Sequence, residues 1–164
     1  MQQRLMVIRD EIGDELTGIA LLVRSLEKAK AQDLDAEIKK RVFASILADF
    51  YMAVEKILKI IAKDIDLDLP EGEDWHKKIL RQVAVTLPGI RPRVIEKELF
   101  HRLQEYLKFR HLVRNIYGFQ LKYERFEHLA EELPNVADAL NKQVQSFLLK
   151  MQEVADSIQL NEQE

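Results

Sequence analysis

The sequence predicts an all-α fold, an up-and-down bundle of three or four long helices with one or two short helices. Apolar residues recur at steps of three and four along most of the chain, which is the period of a helix buried on one side. No stretch of useful length alternates apolar and polar residues, as a half-buried strand would. Only five Gly and four Pro occur in 164 residues, so the periodic stretches run long.

The first third of the chain predicts two long helices. The first is expected from about Gln3 to Lys30, where apolar residues keep a helical period. A polar break at residues 31–33 follows, and the second helix is then expected to end near Lys63. Because the connection is short, we expect the two helices to pack as antiparallel neighbours.

The rest of the chain predicts two more long helices and two short ones. A short helix is expected over residues 73–85, after a loop that contains Pro and Gly. A long helix is expected from about residue 94, with Gly118 as its terminator. A second short helix is predicted over residues 123–132, closed by Pro134, and a last long helix follows it.

The composition is that of one domain over residues 1–164, with a frayed tail expected at 159–164. A chain of this length can bury a core without disulfides or a structural metal. The absence of cysteine excludes disulfides, thiol nucleophiles and Cys-ligated zinc. No signal-peptide pattern and no bilayer-length apolar run is visible, so we expect a cytoplasmic protein.

The charge is distributed unevenly along the chain. Between His76 and Arg125 there are twelve Lys or Arg and four Asp or Glu, a balance of +8. Since the whole chain carries a formal net charge of −3, the remainder carries −11. A basic segment inside an acidic protein favours a local phosphate-binding face over general coating of nucleic acid.

The segment FRHLVRNIYGF, residues 109–119, concentrates side chains that bind phosphate. Its members of interest are Arg110, His111, Arg114, Asn115 and Tyr117. On an ideal helix Arg110 lies about 40° from Arg114 and about 20° from Tyr117, so the three are expected to share a face. Asn115 lies about 140° from Arg110 on the same helix. Bidentate cations beside a stacking ring are the components of an RNA site.

A structural interpretation of the same segment is equally open. Arg110 and Arg114 would complement the negative end of the helix dipole, and Asn115 would cap the helix near Gly118. In this interpretation the polar side chains stabilise the helix end and have no ligand.

Other catalytic motifs are missing from the sequence. There is no glycine-rich phosphate loop, no pair of metal ligands at helical spacing and no nucleophile elbow. His101 and His128 are expected to be solvated surface residues. Trp75, which precedes His76, is interpreted as an anchor that packs a short helix on the bundle. Familiar hydrolase and metal chemistry is therefore unsupported.

The segment 109–119 resembles the HEPN-domain proteins of the HepT-like toxin group. Members of that group carry Arg, four residues, His, one residue and Tyr near the end of a long helix. Arg110 and Tyr117 match the arginine and the tyrosine, and Asn115 stands at the histidine position. Three further stretches are similar: YMAVEKILKIIA at 51–62, LPEGEDWHKKIL at 69–80 and GFQLKYERF at 118–126.

The resemblance implies the toxin of a prokaryotic, type VII-like toxin–antitoxin system, a metal-independent endoribonuclease without a cofactor that cleaves mRNA or tRNA. Its partner would be a nucleotidyltransferase-type (MNT) antitoxin, and its active site would form at a homodimer interface. Arg110 would clamp the phosphate during attack by a ribose 2′-OH, while His111 and Arg114 are candidate RNA contacts. The antitoxin would attach AMP to Tyr117, which adds negative charge where RNA binds.

Asn115 departs from the motif of this group. An amide has no titratable proton near neutral pH, and loss of a general acid or base typically costs about 10² to 10⁴ in rate. Another group such as His111 could act instead, the chain could be a degenerate member, or the substitution could be engineered. The alternative function is a non-catalytic HEPN dimer that acts as an interaction module or binds a nucleotide or RNA.

Overall fold

A computed structural model of the protein describes the backbone of residues 2–161 and the side chains of residues 3–157. This part of the chain forms five α-helices and no strand, apart from one isolated bridge between Leu87 and Arg91. The predicted all-α fold is confirmed, with four long helices and one short helix. The helices are α1 (Gln2–Ala31), α2 (Ala36–Asp64), α3 (Trp75–Val83), α4 (Lys97–Asn115) and α5 (Glu127–Asn161).

The first two helices form the predicted antiparallel hairpin. Arg4 near the start of α1 pairs with Asp64 at the end of α2, and Glu15 pairs with Lys56 about two to three turns further along the hairpin. Asp35 caps α2, since its side chain accepts hydrogen bonds from the backbone N–H groups at positions 37 and 38. This N-cap, directly after the short break, starts the second helix.

Helix α2 lies at the centre of the bundle and contacts each of the other four helices. Its apolar stripe is therefore covered from several sides, and Phe50, Val54 and Leu58 are completely buried. Such a position suits aliphatic and aromatic side chains, and it penalises any charged group that lacks a partner. The described part of the chain buries three charged residues, Glu55, Asp66 and Arg91.

The predicted helix break at Pro134 is wrong, because α5 runs through this residue without interruption. A proline inside a helix removes one backbone hydrogen bond and costs about 3 kcal/mol. The buried stripe continues on both sides of it, and Leu133, Val136 and Leu140 are completely buried. Burying each such side chain contributes about 1.5 to 3 kcal/mol, so packing across the proline exceeds its cost.

The helix predicted over 123–132 is also wrong in its extent. Residues 123–125 form a single 3-10 turn, and α5 begins after it, at position 127. At the other end, the tail expected to fray at 159–164 is helical through position 161, and residues 162–164 lie outside the described part.

The end of α4 differs from the prediction as well. The helix ends at Asn115, and Gly118 lies three residues further on, at the start of a 3-10 turn. A Cβ atom added to Gly118 would lie 2.9 Å from Nη1 of Arg41. This atom is the flexible end of an exposed side chain, so a larger residue would displace it at little cost, and Gly118 does not terminate the helix.

A buried ion pair holds the loop between α3 and α4. Arg91 donates to both carboxylate oxygens of Asp66, and both side chains are fully shielded from solvent. Arg91 also donates to the carbonyl oxygens of Gln82 and Val85, at 3.0 and 3.1 Å. The loop is thus bound to the C-terminal end of α2, which fixes where α4 starts. None of the helices in the described residues is long and apolar enough to cross a membrane.

Candidate functional site

Glu55 is a buried carboxylate in the middle of α2, with 4% of its surface exposed. Nη1 of Arg110 donates to its Oε1 at 2.9 Å, and Nδ1 of His76 is hydrogen-bonded to its Oε2. Nζ of Lys59 lies 4.0 Å from the Oε1 atom. A buried carboxylate is strongly unfavourable without such partners, so Glu55 holds side chains from α3 and α4 in fixed positions.

Trp75 and His76 at the start of α3 pack on this carboxylate. The two rings stack with centroids 3.7 Å apart, and the Lys59 ammonium lies 4.1 Å from the centroid of the indole. Trp75 also packs against the hydrophobic core, which confirms its interpretation as an anchor of the short helix. The anchor has a second consequence, because it fixes the plane of the His76 ring beside Glu55.

His111 completes a group of four polar side chains around Glu55. Its ring lies edge-to-face against the ring of His76, with centroids 5.1 Å apart. Burial lowers the pKa of His111 below the ordinary histidine value, and the neighbouring His76 lowers the pKa further. The Glu55 carboxylate acts in the opposite direction and raises the pKa. The net lowering keeps His111 neutral at pH 7.

Arg110 and Arg114 lie one turn apart on α4 and differ in their surroundings. Arg110 is largely buried against Glu55, with 13% of its side chain exposed, whereas Arg114 is exposed in the last turn of the helix. The dipole interpretation therefore fits the position of Arg114, where a cation faces the negative helix end. Arg110 is instead fixed by a carboxylate of another helix.

Asn115 is the last residue of α4, and its amide is used within that helix. Nδ2 donates to the carbonyl oxygen of His111 at 2.6 Å. This bond supports the structural interpretation of Asn115 as a residue that satisfies the helix end. The amide side chain is otherwise exposed to solvent.

The face predicted to be shared by Arg110, Arg114 and Tyr117 is wrong for Tyr117. The helix ends two residues before it, and Ile116 has φ −130° and ψ 157°, an extended conformation. Tyr117 is extended too, with φ −72° and ψ 146°. An ideal helical angle therefore does not apply beyond Asn115, and the tyrosine projects from a loop.

Two exposed aromatic rings form a stacked pair in that loop. The rings of Tyr117 and Phe119 are 5.5 Å apart and inclined by 6°, and their residues are 71% and 67% exposed. Arg41 lies under the intervening Gly118, and Lys122 follows on the exposed surface. Exposed parallel rings next to cations can stack on the bases of a single-stranded nucleic acid.

The sequence interpretation missed Glu55 and Tyr51 as members of the site. Tyr51 is fully buried one helical turn before Glu55, and burial, followed by the carboxylate charge, raises the pKa of its phenol. The available signal was a carboxylate on the apolar stripe of α2, three residues before the buried Leu58. A glutamate at a core position requires a buried cation elsewhere in the chain.

Two grooves of the described structure lie away from this cluster. A groove of about 580 Å³ runs between α1 and α5, past Gly13 and Pro134, and another of about 550 Å³ lies beside Leu67 and Ile90. Neither groove is lined by Glu55 or its partners.

Comparisons with known proteins identify the family. A family model described as HepT-like protein matches residues 42–151, about two thirds of the chain. This range includes Glu55, the start of α3 and the whole segment 109–119. Comparisons with curated proteins and with solved structures gave no match. The fold and the matched range confirm the resemblance seen in the sequence, and the chain belongs to the HepT-like family, with a HEPN-type helical domain.

Proposed function

We propose that this chain is a metal-independent endoribonuclease, the toxin of a HEPN/MNT toxin–antitoxin module. The observation that carries the proposal is the fixed position of Arg110, whose guanidinium is held by the buried Glu55 one helical turn before the exposed Arg114. A guanidinium has five N–H donors, so donors remain for a phosphate. An arginine oriented before substrate arrives stabilises the charge that develops at phosphorus without reorganisation.

The surrounding side chains supply the other contacts that an RNA strand needs. Arg114 is an exposed cation for a neighbouring phosphate, and the stacked rings of Tyr117 and Phe119 offer a face for an unpaired base. In the reaction, the ribose 2′-oxygen loses its proton and bonds to phosphorus, and the bond from phosphorus to the 5′-oxygen breaks. The products are a 2′,3′-cyclic phosphate and a 5′-hydroxyl end.

We further propose that the active site forms between two copies of the chain. The Arg110 side chain is turned towards Glu55, whereas the Asn115 side chain lies along the end of its own helix. One protomer alone therefore does not direct both motif positions at one phosphate. Two facing segments would complete the site and enclose it on both sides.

The test uses purified protein in the presence of a chelator, with total RNA and tRNA as substrates. This chain and its Asn115→His variant are both assayed, because histidine restores a titratable group at the motif position. We expect metal-free cleavage that leaves cyclic phosphate ends, by a species with the mass of a dimer in light scattering. If both proteins fold as dimers and leave RNA intact at micromolar concentration, the ribonuclease proposal is wrong.

One observation favours the second candidate function, a non-catalytic dimer that binds RNA, a nucleotide or a partner protein. The Asn115 amide is occupied by the carbonyl of His111, and an amide transfers no proton near neutral pH. This alternative predicts binding of single-stranded RNA that weakens with salt, without cleavage by either variant.

Tyr117 is the proposed site of AMP transfer by the MNT antitoxin. Its high exposure leaves the phenol open to a second protein, and the added phosphate would place negative charge close to Arg114. Incubation with the partner and ATP is expected to add one AMP to this chain by mass spectrometry and to weaken RNA binding. Tyr117→Phe is expected to abolish the modification.

Tyr123→Phe is the matched control for this experiment. Tyr123 is half-buried against Phe43, so its removal is expected to leave the modification intact. Persistent AMP transfer to the Tyr117→Phe variant would contradict the assignment.

A further inference from the structure

We propose that His111 is the proton-transfer residue of this site and that His76, oriented by Glu55, is its positioning residue. The inference rests on the proposed ribonuclease function and assigns the role that Asn115 cannot fill. It concerns two histidines that lie 35 positions apart in the sequence and meet only in the fold.

The position of His111 on α4 supports this role. Asn115 follows it by four residues, so the two side chains lie about 40° apart on one face and one turn from each other. The Asn115 side chain folds back on this turn and donates to the backbone carbonyl oxygen of His111. An imidazole at 111 can therefore reach the same region as a histidine at the motif position would.

Glu55 brings the phosphate clamp and the imidazole together. On α4 alone, Arg110 and His111 point about 100° apart. Glu55 links the two indirectly, because its Oε1 accepts a hydrogen bond from Arg110 and its Oε2 is hydrogen-bonded to His76, whose ring contacts His111. The guanidinium is thus hydrogen-bonded to the buried carboxylate, and the half-buried imidazole packs on the histidine that the same carboxylate holds.

The His76 ring is oriented by two neighbours. Its Nδ1 is hydrogen-bonded to Oε2 of the buried Glu55. The stacked Trp75 ring holds the imidazole plane. A ring fixed in this way keeps a constant contact with His111, which is what a positioning residue must do.

The groups around His111 lower its pKa and so favour the neutral imidazole. Glu55 faces it from α2, His76 and Lys77 from α3, and Arg110 from α4. Burial and then His76 lower the pKa of His111, with smaller contributions in the same direction from Arg110 and Lys77. The imidazole is therefore neutral at pH 7, the form that a general base requires.

The proposed step is balanced in protons and bonds. Neutral His111 takes the 2′-OH proton while the 2′-oxygen bonds to phosphorus and Arg110 neutralises the phosphate charge. The bond from phosphorus to the 5′-oxygen then breaks, and this oxygen takes a proton from water. His111 releases its own proton to solvent, which returns the site to its starting state.

The experiment measures metal-free single-turnover cleavage of RNA, and RNA binding, across acidic to neutral pH. His111→Gln is expected to lower the cleavage rate by about 10² to 10⁴ with little loss of binding. It should also remove the acidic limb of the pH profile. Adding Asn115→His to this variant is expected to restore cleavage. Its acidic limb should lie at higher pH than the limb of the original chain, because position 115 is exposed.

His76→Gln tests the positioning role by a readout that a purely structural residue would not change. Since His76 lowers the pKa of His111, its removal is expected to shift the acidic limb upward in pH and to slow cleavage. His128→Gln, an exposed histidine on α5, is the matched control and should leave rate and profile unchanged.

Each remaining outcome decides the inference. Unchanged cleavage and pH profile in His111→Gln would overturn it and leave the ribonuclease function in place. Cleavage by Asn115→His but not by the original chain would overturn it too, because His111 would then supply no proton transfer. If neither protein cleaves RNA, the ribonuclease function itself fails, and the role of His111 fails with it.

Discussion

Replacing Arg110 with alanine is expected to lower the rate of RNA cleavage by about 10² to 10³, the loss typical for one donor that stabilises transition-state charge. The physical reason is that this guanidinium is already fixed by Glu55, 2.9 Å away, before RNA binds. Within residues 109–119, Arg110 is the one cation held by a buried carboxylate in the described structure, so Arg114 cannot take its position. The measurement is single-turnover cleavage at saturating protein.

Two further variants separate chemistry from folding and from binding. Arg110→Lys keeps a cation for the buried Glu55 and is expected to preserve the fold. Lysine lacks the planar guanidinium that binds two phosphate oxygens, so cleavage is expected to stay low. Arg114→Ala removes an exposed cation and is expected to weaken RNA binding while the bound complex still reacts. Equal cleavage by Arg110→Ala and the original chain would contradict the assigned role.

Replacing Arg91 with methionine is expected to lower the free energy of unfolding by about 3 to 5 kcal/mol. The change leaves the carboxylate of Asp66 buried without its cation, since neither side chain reaches solvent. The carbonyl groups of Gln82 and Val85 lose a donor at the same time. Urea unfolding followed by circular dichroism measures the loss.

Arg93→Met is the matched control, because it lies two residues away and is exposed. Its ion pair with Glu96 joins two solvent-exposed side chains at a spacing of three residues, 3.2 Å apart. Pairs of this kind contribute about 0 to 1 kcal/mol, so a small change is expected. Similar losses for Arg91→Met and Arg93→Met would show that burial does not determine the effect.

The helices that were predicted well are those whose apolar period is long and uninterrupted. Helix α2 keeps this period from Phe43 to Ile61, and its predicted end near Lys63 lies one residue from the observed end. The errors fall where a local breaker competes with packing, as at Pro134, or where the chain leaves the helix early, as at Ile116. Sequence rules for prolines and helix period use neighbouring residues only, so they do not include the free energy gained by packing against distant residues.

The candidate site shows the same division. Arg110, Asn115 and Tyr117 were predicted from their spacing and from the family resemblance, because both depend on residues that are close together in the sequence. Glu55 was missed, since its partners His76 and Arg110 lie 21 and 55 positions away. Periodicity reports which face of a helix is buried, and it does not report which side chain of another helix lies against it.

The sequence by itself determined the all-α class, the helical hairpin at the N-terminus, the basic segment and the family. It did so because amphipathic period, short connections and motif spacing are properties of neighbouring residues. Only the tertiary structure decided that α5 continues through Pro134, that Tyr117 leaves the helix and that Glu55 joins Arg110 to the His76–His111 pair. The physical reason is that a buried charge is stable only with its partners, and packing of α2 against α3 and α4 brings those partners to it.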